Sequence, residues 1–228
     1  TLYATSETGY KNLTKLSSLS YLKNKDSYDP HCKIEDLISN NEDLILLTGN
    51  YNNFFGKLFY GNKTKHFEKT IEKLESFFKN RLYIEIQRHK EPQEVNYESY
   101  LLKISSLYNL PLIAAQEVYY LDSGMAEAHD ALMCIGNKEF IDDQNRFRYS
   151  NQHYLKKSEE IKKLYQDIPE ALENNYNFPL RFNFKPKKSK PILPSISNNK
   201  NISVENELMD QAKKGLEERL NNFIFKKN

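Results

Sequence analysis

Residues 109–135 constrain the fold more than any other stretch. They open with Leu112-Ile113-Ala114-Ala115, an unbroken apolar run directly after Pro111. A run this short and apolar at every position fits a strand covered on both faces, as in a parallel sheet. It ends in Gln116-Glu117-Val118-Tyr119-Tyr120. In barrels and doubly wound sheets, the residues just past a strand's C-terminal end are where chemistry is placed. Asp122 and Ser123 then stand where they cap a helix, which carries Met125, Ala128, Leu132 and Ile135 on one side.

Upstream, the same alternation repeats. Residues 9–22 read as a helix, with Leu13, Leu16, Leu19 or Ser20 and Leu22 at helical spacing; 23–32, with Pro30, are a loop and 33–39 a short helix. Residues 44–47 read as a buried strand ending at Thr48-Gly49-Asn50. A helix over 53–60 stops at Gly61. The clearest helix covers 63–79, with Phe67, Ile71, Leu74 and Phe78 on one stripe. Residues 82–86 alternate, Leu82, Ile84 and Ile86 against Tyr83 and Glu85, as a strand does. A helix over 95–108 buries Tyr97, Leu101, Ile104 and Tyr108. Strand alternating with helix predicts an α/β fold built on a parallel sheet. About three strands are legible, too few to close a barrel.

After Gly136 the texture changes. A turn-rich segment leads to helices near 159–165 and 169–175. Residues 178–201 contain Pro179, Pro186, Pro191 and Pro194 with Arg181, Lys185, Lys187, Lys188, Lys190 and Lys200, and no carboxylate. They read as an extended solvated linker, with phosphate contact as the functional alternative. Residues 203–225 form an amphipathic helix through Leu208, Ala212, Leu216, Leu220 and Phe223. The chain thus divides into 1–136, a connecting segment 137–202, and 203–228.

The net charge of +2, from 33 Lys and Arg against 31 Asp and Glu, predicts no bulk attraction to nucleic acid. The 16 Tyr and 13 Phe supply area for a core despite a 39% hydrophobic share. Cys32 and Cys134 show no C-x-x-C spacing and read as free thiols of a reducing cytoplasm. No apolar run approaches the roughly 20 residues that span a bilayer. Neither a Gly-rich phosphate loop nor a G-x-S-x-G elbow is present. His31 beside Cys32 reads as loop, His129 as a helix-surface or capping residue, and His66 and His153 have no ligand spacing around them.

Several ordered pieces carry a resemblance: Gly9-Tyr10-Lys11-Asn12-Leu13, Asp43-Leu44-Ile45-Leu46-Leu47-Thr48-Gly49, Tyr83-Ile84-Glu85-Ile86-Gln87-Arg88-His89, residues 109–135, Asp167-Ile168-Pro169-Glu170-Ala171-Leu172-Glu173-Asn174 and residues 211–220. Together they cover most of the chain. The set resembles the PHP (polymerase and histidinol phosphatase) domain region of the alpha subunit of bacterial DNA polymerase III, a replicative C-family polymerase. The resemblance implies an incomplete, distorted β/α barrel of PHP type with a C-terminal helical extension. The chain opens on Thr1 as if cut from something longer, with further strands upstream, and lacks the palm. Active PHP domains hold divalent metals at the strand ends and hydrolyse phosphoesters.

Three positions of that metal cluster fall within the chain. Metal-binding relatives have Asp-x-His where this chain has Glu117-Val118-Tyr119, and Tyr is a poor substitute because its phenol is neutral at pH 7. They have Cys where it has Asn50. The Gln-Arg-His motif is kept as Gln87-Arg88-His89. The resemblance therefore implies a degenerate site around His89, Glu117, Tyr119 and Asn50, no cofactor in this chain, and Mg²⁺ only in the parent polymerase's palm. It further implies a cytoplasmic bacterial replication protein that serves as scaffold for the proofreading exonuclease and other replicase subunits. Arg181, Lys185, Lys187, Lys188 and Lys190 would meet DNA. The alternative is a metal-dependent phosphoesterase. Pro179 falls where relatives continue a helix, and breaks it here.

Overall fold

The structure, a computed structural model, describes residues 1–23, 29–188, 190–191 and 203–223. The chain forms two compact units, Thr1–Pro186 and Lys187–Asn228.

The first unit begins with β1 (Leu2–Ala4), α1 (Glu7–Leu22), α2 (Ile34–Ser39) and β2 (Leu44–Leu47). Ser6 caps α1 by accepting from the Gly9 N–H, 3.2 Å away. Gly9 lies so close to β2's approach that a Cβ there would sit 2.1 Å from the Asp43 carbonyl oxygen. Then come α3 (Phe54–Tyr60), α4 (Thr64–Phe78), β3 (Leu82–Gln87), α5 (Pro92–Tyr108) and β4 (Leu112–Ala115). The strands make an open sheet in the order β1-β2-β3-β4. β2, β3 and β4 are parallel, with Ile84 opposite Leu112 and Ile86 opposite Ala114. β1 is antiparallel to β2, with Leu2 opposite Leu46. The sequence reading missed β1, because a strand of three residues is too short to show a period.

The alternation in β3 sorts the core. Leu82, Ile84 and Ile86 face the helices with Phe67, Ile71, Leu74 and Phe78 of α4 and Leu101 and Ile104 of α5. On the opposite face Ile45, Leu47, Tyr83 and Ile113 are covered by Phe178 and Phe182. Phe178 meets the rings of Tyr3 and Tyr83 edge-on at 5.5 Å each.

The compact unit runs on past residue 136, where the sequence reading placed its boundary. α6 (Ala126–Asn137) follows a short turn of 3-10 helix, Ser123–Met125, capped by Asp122. α7 (Ser158–Leu164) and α8 (Pro169–Asn177) return to the sheet. Tyr165, Ile168 and Ala171 are buried in the main core. Tyr165 donates its hydroxyl to the Ala115 carbonyl at 3.0 Å. Two asparagines of α8 complete the edge of β4. Asn175 accepts from the Ala114 N–H at 3.0 Å and donates to its carbonyl at 2.6 Å, while Asn174 donates to the Leu112 carbonyl at 2.7 Å. Side-chain amides thus occupy hydrogen-bonding groups that a further strand would use. α8 ends before Pro179 in a 3-10 turn, Phe178–Arg181, as the proline requires.

In the second unit, α9 (Val204–Phe223) carries the expected final helix. Leu208, Leu216 and Leu220 on its apolar side are exposed. Linker residues 192–202, Lys200 among them, and the helix end expected at 224–225 lie outside the described residues.

Candidate functional site

The C-terminal ends of β2, β3 and β4 bring Asn50, His89, Glu117 and Tyr119 together. Gly49, at φ +80, turns the chain off β2 in a conformation that glycine adopts without strain, and so aims Asn50 across the strand ends. Asn50 donates its amide to Glu117 Oε1 at 2.5 Å. Tyr119 donates its hydroxyl to Glu117 Oε2 at 3.0 Å. Both oxygens of that carboxylate are therefore held by protein donors.

His89 is fixed by the start of α5. Pro92 sits in the first turn, and Glu94 reaches back to accept from the Glu91 N–H at 3.1 Å. The same carboxylate accepts from the His89 N–H at 2.6 Å and from His89 Nδ1 at 2.9 Å. His89 Nε2 in turn accepts from the Glu117 N–H at 3.1 Å, which places the ring proton on Nδ1. Arg88 points the other way. It pairs with Glu98 and Asp167, 2.6 Å from the latter, and lies 5.0 Å over the Tyr165 ring, so it ties the strand end to α5 and to the turn between α7 and α8 rather than to the cluster.

The residue the sequence reading passed over is His153. It is buried, and its ring stacks on His89 at 4.1 Å with 1° between planes. Its Nδ1 donates to the Glu117 carbonyl at 3.2 Å. Its Nε2 stands 3.5 Å from Glu91 Oε1, too far for a good hydrogen bond, and has no other partner among the described residues. The column continues through Tyr119, 5.1 Å from His153, to His129, 5.2 Å beyond on α6. Burial and the neighbouring His89 lower the His153 pKa. Burial, then the bond with Tyr149 and the Glu117 charge, push the Tyr119 phenol well above its ordinary value. No local signal could reveal His153, because its partners lie 64 and 36 residues away in the chain.

Chemically this is a closed hydrogen-bonded and stacked cluster. A divalent ion needs free carboxylate oxygens and imidazole nitrogens; here both oxygens of Glu117 and both ring nitrogens of His89 are engaged within the protein, and His153 Nε2 alone of the cluster's ring nitrogens described above lacks a hydrogen bond. The donor set does not fit a metal cluster, and among the described residues no three His, Cys, Asp or Glu are grouped to hold an ion.

The basic residues are divided between the two units. Arg181 belongs to the first unit. It donates to the Asn80 carbonyl at 2.7 Å and the Tyr83 hydroxyl at 2.6 Å, at the opposite end of β3. Lys185 is exposed near the end of the same unit, and Lys187, Lys188 and Lys190 are exposed in the second.

Residues 1–89 match the model of the PHP domain. The chain is 35% identical over 219 residues, 96% of its length, to the DNA polymerase III subunit alpha of Caulobacter vibrioides. It is 37% identical over 222 residues (96%) to that of Rickettsia bellii, and 33% over 226 residues (99%) to that of Escherichia coli K12. It spans 19% of the length of each of these relatives. By a match along nearly its whole length, the chain belongs with the PHP-domain region of the DNA polymerase III alpha subunits.

Proposed function

We propose that the chain is the PHP region of a bacterial replicative polymerase and works there as a metal-free scaffold and docking surface, with the proofreading exonuclease subunit as its partner. In this reading the sheet is part of a distorted PHP-type barrel and α9 is the extension that leads towards the palm. Polymerisation and its Mg²⁺ belong to that palm, and the chain itself needs no cofactor. The observation that carries the reading is the strand-end cluster, in which Glu117 is held by Asn50 and Tyr119 and His89 by Glu94 and the Glu117 N–H. A phosphoesterase would need those groups free for metal and water. No helix among the described residues is long and apolar enough to cross a membrane. The likeness to replicative polymerase subunits supports a place in the bacterial cytoplasm.

Co-purification of the 228-residue chain with the exonuclease subunit tests the docking role, and loss of all association at micromolar concentrations would refute it. Calorimetry with Mn²⁺ and Zn²⁺ tests the cluster. The parent and the Glu117→Asp/Tyr119→His double variant should both bind no stoichiometric metal, because Asn50 remains and His89 stays engaged. Tight binding by the unmodified chain, with phosphatase activity, would favour the phosphoesterase instead. Lys185, Lys187, Lys188 and Lys190 give the chain weak, sequence-independent DNA binding that salt removes. Replacing all four by Gln should abolish most of it.

A further inference from the structure

α6 is held to the body by one face and presents the other to solvent. On the inner side Cys134 is buried, His129 stacks on Tyr119, and Asp130 forms a bidentate pair with Arg146. On the outer side Leu132 is 64% and Ile135 77% exposed. Lys138, at φ 60, closes the helix in the left-handed region and turns the chain so that Phe140 follows at 84% exposure, with Ile141 also exposed. This loop is tied down. Arg146, itself buried, reaches the Ile141 carbonyl at 3.3 Å, and Arg148 donates to the same carbonyl at 3.0 Å and to that of Asp143 at 3.3 Å. A loop fixed by arginines at its base while its large apolar side chains stand in water is pre-organised for contact, which lowers the ordering cost of association.

The surroundings specify the partner. Exposed Asp122, Glu127, Glu139, Asp142 and Asp143 share the 122–148 stretch with the apolar residues, against exposed Lys138 and Arg148. Five exposed carboxylates against two exposed bases give this stretch a net of −3 in a chain of +2. We propose that the outer face of α6 and the 138–143 loop form a docking surface for a protein partner that presents an amphipathic helix, apolar along one stripe and flanked by Lys and Arg. This locates the contact for the docking role proposed above and rests on that reading. A second copy of the chain would oppose like charge to like and so does not complement it.

The test uses the full chain and three synthetic helical peptides: a Leu stripe flanked by Lys, the same stripe flanked by Glu, and a scramble of the first. Anisotropy titration and amide shift mapping should show the Leu/Lys peptide binding at least tenfold more tightly than the others, with shifts centred on Leu132, Ile135 and Phe140. Ile135→Asp/Phe140→Ser should abolish binding with the remaining amide spectrum unchanged. Glu139→Lys/Asp142→Lys, which leaves the apolar residues in place, should weaken it several-fold and flatten its salt dependence. Equal binding of the Lys and Glu peptides, shifts centred on α9, or unchanged binding by the Ile135→Asp/Phe140→Ser variant would each overturn the proposal. So would a parent dimer in sedimentation that this variant converts to monomer, since the face would then join two copies. If the exonuclease subunit co-purifies equally with parent and this variant, the docking role stands and this surface is wrong. If it binds neither chain while the Leu/Lys peptide behaves as expected, the surface stands and the identity of the partner is wrong.

Discussion

α4 and α6 read alike in the sequence and end in opposite places. Both repeat apolar side chains at helical spacing: Phe67, Ile71, Leu74 and Phe78 in one, Ala128, Leu132 and Ile135 in the other. In α4 that stripe lies against the sheet, with Phe67 and Ile71 fully buried. In α6 the stripe faces water, and the helix is held by an Arg–Asp pair and a ring stack on its other side. Periodicity fixes that a helix has two faces. It does not fix which face meets the body. In α4 the apolar face has β2 and β3 to cover it. The chain before α6 leaves β4 across the strand-end cluster, where Tyr119 holds His129, and Arg146 of the following loop holds Asp130 on the same face.

Truncation tests the comparison most directly. Phe67→Ala should cost about 3–5 kcal/mol of unfolding free energy in urea titration, because it removes a ring from a packed core and leaves a cavity. A loss below about 1 kcal/mol would mean that the α4 core collapses around the gap, and that the two helices are less different than their burial suggests.

Asn175→Ala comes next. It strips the edge of β4 of a donor and an acceptor, and leaving buried backbone groups unpaired costs about 1–3 kcal/mol per group. The same experiment bears on the stability of the sheet. An open sheet lacking neighbours is expected to melt broadly or to associate through its edges. Asn174 and Asn175 protect one edge, so self-association measured by sedimentation should rise in the Asn175→Ala variant and remain low in the parent.

The polar anchoring of the strand-end region should make it sensitive to pH where the α4 core is not. His153 has a lowered pKa in the fold, so the unfolded chain takes up its proton more readily. Its contribution is therefore intact above the unfolded value of about 6.5 and is lost as pH falls below it. Melting temperature should fall between pH 7.5 and 5.5, and His153→Gln should lessen that fall. An unchanged pH slope in the variant would remove His153 from the account. The smallest effect belongs to Leu132→Ala, which should stay within about 0.5 kcal/mol of the parent because the side chain is already in water.

The local grammar of the chain was legible from residues alone. The apolar runs at 44–47 and 112–115, the alternation of 82–86, the stripe of 63–79 and the break at Pro179 all have short-range causes: pleat, helical pitch and a missing N–H. Asn50, His89, Glu117 and Tyr119 were named through the family resemblance; that they meet follows from parallel strands, which place their C-terminal ends together. Three things needed the tertiary structure. β1 exists only because β2 gives it a partner. The β4 edge is completed by Asn174 and Asn175, some 60 residues further on. His153 joins His89 by ring stacking and by a backbone carbonyl, neither of which leaves a spacing to read. Sequence fixes what each residue does to its neighbours within a turn or a pleat. Contacts between distant segments depend on where the whole chain has gone, and only the folded molecule decides that.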